Sequence, residues 1–353
     1  MSAGPHHHAP VVAPVIVDKF GGSVLRRPED IAAAVSVVAE QRAAGLRPVV
    51  VVSAFEGVTD TILESAAVLL PEGRAALSGP AHDPGSPLAR ETDRALATGE
   101  ALSAALFALG LVGRGIPARS FSGAEAGIRT AAAHLGAEVR RVVPRRLRSV
   151  LAEGVVPVVA GFQGIGTHGE LTTLGRGGTD LSAVVLAVAL RADRCELFKD
   201  VGGVMEADPH LVPSARFLPV VDALQLELLA EMGAEVVHPV AVRRARRGRL
   251  RLMVRSTDGS QPQTEVRPGA PRGRSQPDAL AGPMLAVARR ERVARISLVG
   301  PAAVLPDLLP IPAHGAGSFD AGPLRVVWAE VPLEQLASAA QAVHAGVMLP
   351  LRR

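Results

Sequence analysis

Three runs in this chain are apolar along nearly their whole length rather than at alternate positions: "VVAPVIV" (Val11–Val17), "RPVVVVSAF" (Arg47–Phe55) and "GVVPVVAGF" (Gly154–Phe162). A strand with one face in water alternates, whereas continuous runs belong to a sheet covered on both faces. Helical stretches separate them. "PEDIAAAVSVVAEQRAAG" (Pro28–Gly45) opens with proline, carries acids in its first turn and stops at glycine. Further helices are expected from Gly57–Asp60 onward, over Arg90–Gly113, Arg145–Glu153, Thr179–Arg191, Ala223–Gly233 and Val240–Arg247. Strands are expected at "IPARSF", "CELFKDV" and Leu250–Ser256, and a loop over Arg74–Pro87. Strands alternating with helices predict an α/β fold with a mainly parallel sheet.

Composition narrows the function classes. With 353 residues, 48% hydrophobic and 20% charged, the chain can build a sizeable core. A single cysteine, Cys195, leaves no internal disulfide framework and fits a reducing, cytoplasmic setting. Net charge is only +4 and aromatics are 3%, so stacking platforms for nucleic acid are not expected. The basic run Arg140–Arg148 reads as the solvated face of a helix. No stretch reads as a membrane span, and His6–His8 reads as part of a flexible tail over residues 1–12, with no metal site expected. Lys19 and Lys199 are the only lysines; arginine supplies every other fixed positive charge. A lysine is a compact charge suited to phosphate, whereas arginine is a planar fork.

Both lysines sit at strand ends. "KFGGS" (Lys19–Ser23) ends the first strand in paired glycines, which let backbone N–H groups approach an anion near a helix start. Read alone, it is equally an ordinary tight turn. "SAFEGVTD" (Ser53–Asp60) is a second strand end, where Ser53 and Thr59 can also be simple caps. In "ATGEALS" (Ala97–Ser103), Glu100 lies among small apolar residues, either at an exposed helix edge or aimed at a polar ligand. "TTLGRGGTDLSA" (Thr172–Ala183) places Arg176 inside a glycine turn with Asp180 four residues on. It has neither dinucleotide-fingerprint nor Walker spacing.

In order along the chain stand "KFGGSVL", "VSAFEGVTD", "ATGE", "GFQG", "TTLGRGGTD", "DVGGVMEADP" and "GAEVVHP". The set resembles the aspartate kinases of the amino acid kinase superfamily, over about Val15 to Ser256. The resemblance implies a three-layer αβα open, mainly parallel sheet, with ATP over the carboxyl ends of the strands. It implies that Arg176 forks onto the α-carboxylate of aspartate, with Glu100 and Asp180 near the ammonium and Thr59, Phe162, Gly177, Gly178 and Thr179 lining the same pocket. Lys19, Gly21, Gly22 and Ser23 would hold the transferring phosphate. Lys199, Asp200, Val204, Met205, Asp208, His210 and Glu235 would border ATP, with Mg²⁺ as its companion. The acceptor carboxylate is already ionised at neutral pH, so no general base is needed. His168, His210 and His238 are then structural or peripheral.

Several departures stand out against the resemblance. His210 and Glu235 occupy positions where some relatives carry arginine and lysine. A glutamate near phosphates repels them by about 1 kcal/mol if partly solvated, so weakened ATP affinity is expected. The segments Arg129–Ala131 and Thr179–Leu181 lack some polar residues common in relatives. A kinase for another amino acid or carboxylate, or a weakly active regulatory homologue, therefore stays open. The expected domains are a tail (1–12), a catalytic domain (13–256), a linker (257–283) and a truncated ACT-like α+β domain (284–353). In that last domain a proline-rich stretch replaces a helix, so lysine or threonine inhibition is expected to be absent or altered. A homodimer is expected.

Overall fold

A computed structural model describes residues 13–71, 73, 85–234, 236–269 and 282–348. The N-terminal tail with His6–His8, and Glu235, lie outside the described residues. In chain order the first elements are β1 (Val15–Phe20), α1 (Ile31–Ala43), β2 (Arg47–Val52), α2 (Val58–Val68), α3 (Pro87–Gly113) and β3 (Ala118–Phe121). Then come β4 (Ile128–Thr130), β5 (Val139–Val142), α4 (Arg145–Ala152), β6 (Val156–Ala160), β7 (Gln163–Ile165), β8 (Leu171–Thr173), α5 (Gly178–Leu190) and β9 (Arg194–Phe198). They are followed by β10 (Val204–Met205), β11 (Phe217–Leu218), β12 (Val220–Asp222), α6 (Ala223–Glu231), α7 (Pro239–Arg247), β13 (Arg251–Arg255) and β14 (Thr264–Arg267). The last are β15 (Met284–Arg289), β16 (Val293–Pro301), β17 (Gly315–Ala321), β18 (Leu324–Pro332) and α8 (Leu336–Val343).

The main sheet runs β12-β14-β13-β9-β1-β2-β6-β3, and only the β13–β14 pair is antiparallel. Its central strands are buried on both faces, as their unbroken apolar runs require. Val50 and Val52 of β2 face α1 and α3, joining Phe20, Val35, Phe107 and Val158. Val49 and Val51 face the other way, into a cluster with Val17, Leu186, Leu252 and the helices α4 to α7. Phe20 stacks on Phe198 with ring centroids 4.5 Å apart, tying β1 to β9 just beneath the two lysines. Because β1, β2, β6 and β9 all run the same way, Lys19, Ser53, Gly161 and Lys199 emerge at one edge of the sheet.

Three local expectations change. The basic run is not one helix: Arg140 and Arg141 lie on β5, and only Arg145, Arg146 and Arg148 lie on α4, though all five are exposed. β5 belongs to a small separate sheet, β5-β4-β7-β8, whose short strands carry little apolar signal of their own. The stretch 257–283 contains β14, which joins the main sheet between β12 and β13 because Val266 and Thr264 bury there; residues 270–281 lie outside the description. α3 is long and apolar enough to cross a membrane by length and composition, with mean hydropathy 1.7 over its best window, yet half of that window is buried. Its inner face carries Asp93 and Glu100 into the protein.

The C-terminal unit is a four-stranded sheet, β15-β16-β18-β17, all antiparallel, with α8 packed on β16 and β18. Between β16 and β17 the chain forms no helix, where Pro306, Pro310 and Pro312 stand. Its core also takes in Ala207, Leu211, Val212 and Ala215 from the loop after β10.

Candidate active site

Lys19 is the penultimate residue of β1, and its side chain is buried over the turn that follows. A Cβ on Gly21 would stand 2.8 Å from Lys19 Nζ, so the ammonium folds back over this glycine and a larger residue would displace it. Lys19 Nζ meets Asp180 Oδ1 at 2.6 Å, and Lys199 Nζ lies 3.4 Å from Oδ2 of the same carboxylate. Asp180 sits in the first turn of α5, where an acid also faces the helix's positive end. Burial alone would raise its pKa, but Lys19, Lys199 and the backbone N–H of His238 hold it far below the ordinary carboxylate range. Lys199 moves the other way: burial lowers its pKa, Asp180 opposes the shift, and Lys19 adds to it.

Arg176 lies between Gly175 and Gly177, both at φ 72°, and this left-handed pair turns the chain tightly enough to expose the guanidinium. Gly177 admits the imidazole of His238: a Cβ there would fall 2.2 Å from His238 Cγ. Gly178 is likewise bounded by Phe162, whose ring would stand 2.9 Å from its Cβ. Phe162 itself adopts φ 65°, held by its N–H donating to Ser182 Oγ at 3.0 Å and its carbonyl accepting from Leu174 at 2.8 Å. Thr179 is buried against Gly161.

Glu100 reaches the same edge from α3. Gly99 lets the helix approach β2, since a Cβ there would lie 2.8 Å from Ala54 Cβ. Glu100 Oε1 then accepts the Ala54 N–H at 3.1 Å, while Oε2 is buried with no hydrogen-bond partner among the described residues. Burial raises this carboxyl's pKa to about 7, against the pull of the Ala54 N–H.

A cleft of about 240 Å³ opens beside Lys199. Ser23 and Asp200 line it, together with Arg26, Ser256, Asp258 and Gln261, which no sequence motif marks. Val204 is buried and donates its N–H to Thr264 Oγ1 at 2.8 Å. Met205 packs toward the C-terminal core, and Asp208 Oδ1 accepts the His210 N–H at 2.9 Å in an exposed turn. Gly22 packs its backbone against the Ala54 carbonyl, and Thr59 is exposed on the first turn of α2. The structure therefore gathers Lys19, Gly21, Asp180, Lys199 and the Arg176 turn around α5, and leaves Thr59, Met205 and His210 at its margins. His168 is exposed between β7 and β8, but His238 is in the site: burial lowers its pKa, Asp180 opposes this, and Arg176 and Lys199 add to it. The only sequence signal for it is the "HP" that opens α7.

A model of the amino acid kinase family matches residues 14–256. An aspartokinase of Mycolicibacterium smegmatis is 37% identical over 308 residues, covering 87% of this chain and 67% of the relative. An aspartokinase of Thermus thermophilus is 39% identical over 253 residues, covering 72% of this chain and 59% of the relative. Among solved structures, aspartate kinase from Synechocystis matches with TM-score 0.61 and 32% identity, over 95% of this chain and 55% of that one. Escherichia coli aspartokinase III, in complex with aspartate and ADP, matches in fold with TM-score 0.75 at 20% identity, over 95% of this chain and all of that one.

Proposed function

The chain belongs to the aspartokinases of the amino acid kinase family, and we propose that it transfers the γ-phosphoryl group of ATP to the side-chain carboxylate of L-aspartate, giving 4-phospho-L-aspartate and ADP. The observation that carries this reading is the convergence of Lys19, Lys199 and the Arg176 turn on one carboxylate-bearing helix start, beside a buried Glu100 oxygen that lacks a partner among the described residues. Two lysines contact Asp180 and Arg176 stands close by, so the site offers net positive charge to phosphates and to a second carboxylate.

In the proposed reaction an oxygen of the acceptor carboxylate attacks the γ-phosphorus as the bond to the β-bridging oxygen breaks. ADP leaves with that bond's electron pair, and no proton moves. Lys19 meets charge on the transferring phosphoryl group, with the N–H groups of the Gly21–Gly22 turn. Arg176 forks onto the α-carboxylate, and Glu100 Oε2 accepts from the ammonium, whose arrival favours the ionised form of that carboxyl. Lys199, Asp200 and Ser23 border the nucleotide in the cleft. The donor set there suits a magnesium ion that arrives on phosphate oxygens: Asp200 and Asp258 offer carboxylates, and among the described residues no cluster of three ligating side chains forms a separate cage. Such an ion would supply charge neutralisation for the phosphates.

A cytoplasmic homodimer is proposed with this activity, supported by the buried free thiol of Cys195 and by the exposed Leu102, Leu109 and Val112 along α3. Absent or altered inhibition by lysine or threonine is supported by the lack of a helix between β16 and β17. A coupled ADP-release assay with aspartate, glutamate and their analogues tests the reading. Turnover with aspartate is expected, and Arg176→Ala should raise KM for aspartate more than it lowers kcat. Turnover with another acid alone, or with none, overturns it.

A further inference from the structure

Helix α3 turns two buried carboxylates inward. Glu100 is one; Asp93, seven residues earlier, lies on the same face almost two turns away, roughly 10 Å along the axis. Asp93 is fully buried, and its hydrogen bonds to described residues lie outside the pocket described above. Its Oδ2 meets Nδ1 of His134 at 2.7 Å, and its Oδ1 accepts the Leu135 N–H at 3.1 Å and the hydroxyl of Thr173.

Thr173 ends β8, three residues before Arg176. Its carbonyl accepts the N–H groups of Gly136 at 3.1 Å and Ala137 at 2.8 Å. Gly175, which opens the arginine turn, stands close enough to Gly136 that an added Cβ would lie 3.3 Å from its Cα. Leu135 adopts φ 57°, a left-handed conformation that a leucine holds only when its surroundings impose it. Here the Leu135 N–H is held by the Asp93 carboxylate. The loop carrying His134 and Leu135 is thus fixed to α3, and the root of the Arg176 turn is fixed to that loop and to α3 at once.

We propose that Asp93, His134 and Thr173 are positioning residues that lock the Arg176 turn to α3, and so set the separation between the Arg176 guanidinium and the Glu100 carboxylate. The inference rests on the reading of those two groups as the receivers of an amino acid's α-carboxylate and ammonium. Both groups sit on one carbon of the substrate, so their receivers must hold a fixed spacing. A single rigid helix supplies it more directly than two independent strand ends would. The device reads the α-amino acid head and is indifferent to the nucleotide.

The test compares Thr173→Val, Thr173→Ser and Asp93→Asn with wild type, measuring kcat, both KM values and hydrogen exchange at amides 174–178. Thr173→Val should raise KM for aspartate about tenfold and leave KM for ATP within about twofold, while Thr173→Ser restores the wild-type values. In an Arg176→Ala background Thr173→Val should add less than about twofold, because the group it positions is gone. Amides 174–178 should exchange faster in Thr173→Val and Asp93→Asn. Equal changes in both KM values, or an undiminished effect in the Arg176→Ala background, would show a merely structural role and overturn the proposal. If wild type turns over no aspartate, the functional reading fails by itself. The exchange data then still decide the locking: faster exchange upholds it and unchanged exchange overturns it.

Discussion

Asp180 and Glu100 are both buried carboxylates at one edge of the sheet, and their surroundings push them in opposite directions. The start of α5 gives Asp180 two ammonium partners and a backbone donor, so its charge is compensated before any ligand arrives. The inner face of α3 gives Glu100 one backbone N–H and leaves its other oxygen unpaired among the described residues. The first region is a finished ion network that holds cations in place; the second lacks the cation that would complete it. The difference teaches which half of the pocket awaits a ligand: the amine is expected at α3, and the anions around α5.

Breaking the finished network has the largest expected effect. Lys19→Ala removes the charge nearest the proposed phosphoryl group and leaves Asp180 with Lys199 alone. The expected loss in kcat is about 10²–10³-fold with KM for aspartate changed far less. A variant that kept its kcat and lost only aspartate affinity would place Lys19 on the acceptor instead, and the two halves of the pocket would have to be exchanged.

Glu100→Gln tests the unfinished half, and here function and stability move apart. The folded pKa of about 7 lies above the ordinary glutamate value of 4.5. The folded state therefore binds this proton more tightly than the unfolded chain does. Its contribution to stability is complete below pH ~4.5 and is lost as pH rises through about 7. Above that, the buried charge costs on the order of 2–3 kcal/mol, which glutamine removes while still accepting from Ala54. Denaturant melts should show Glu100→Gln more stable than wild type at pH 8 and equal to it at pH 4.5. KM for aspartate should rise by on the order of 10–100-fold, the loss of a charge-assisted contact to the ammonium. A variant no more stable at pH 8 would mean that the carboxylate is already compensated, and the contrast with Asp180 would vanish.

Much of this arrangement was legible in the sequence where one short stretch carries the whole signal. The unbroken apolar runs of β1, β2 and β6 announce a doubly covered sheet, and the glycines around Arg176 announce a turn. What was not legible depends on partners far apart in the chain. β14 is four residues among prolines, glycines and serines, and it becomes a strand because β12 and β13 supply both neighbours. β5 reads as part of a basic helix because its arginines all face solvent, leaving Val139 as its one buried residue. The Asp93–His134 contact joins α3 to a loop forty-one positions on, and no local pattern marks it. His238 reads as peripheral because the reaction needs no base, yet the turn at Gly177 exists partly to seat its ring.

That imidazole offers the smallest and sharpest probe, since it stands beside both Asp180 and Arg176. Burial lowers its pKa from 6.5, with Asp180 opposing and Arg176 and Lys199 assisting. A depressed folded pKa means stability that is present above pH 6.5 and lost as pH falls through the folded value. His238→Gln keeps a neutral side chain at every pH, so it should flatten the acid limb of a Tm profile below pH ~6.5 by a degree or two, the ring being only partly buried. At pH 8, where the ring is neutral, kcat should stay within about threefold of wild type, because the reaction moves no proton. A hundredfold loss at pH 8 would instead make His238 a participant in phosphoryl transfer, and the proposed division between a self-compensated α5 and a ligand-seeking α3 would need a third member.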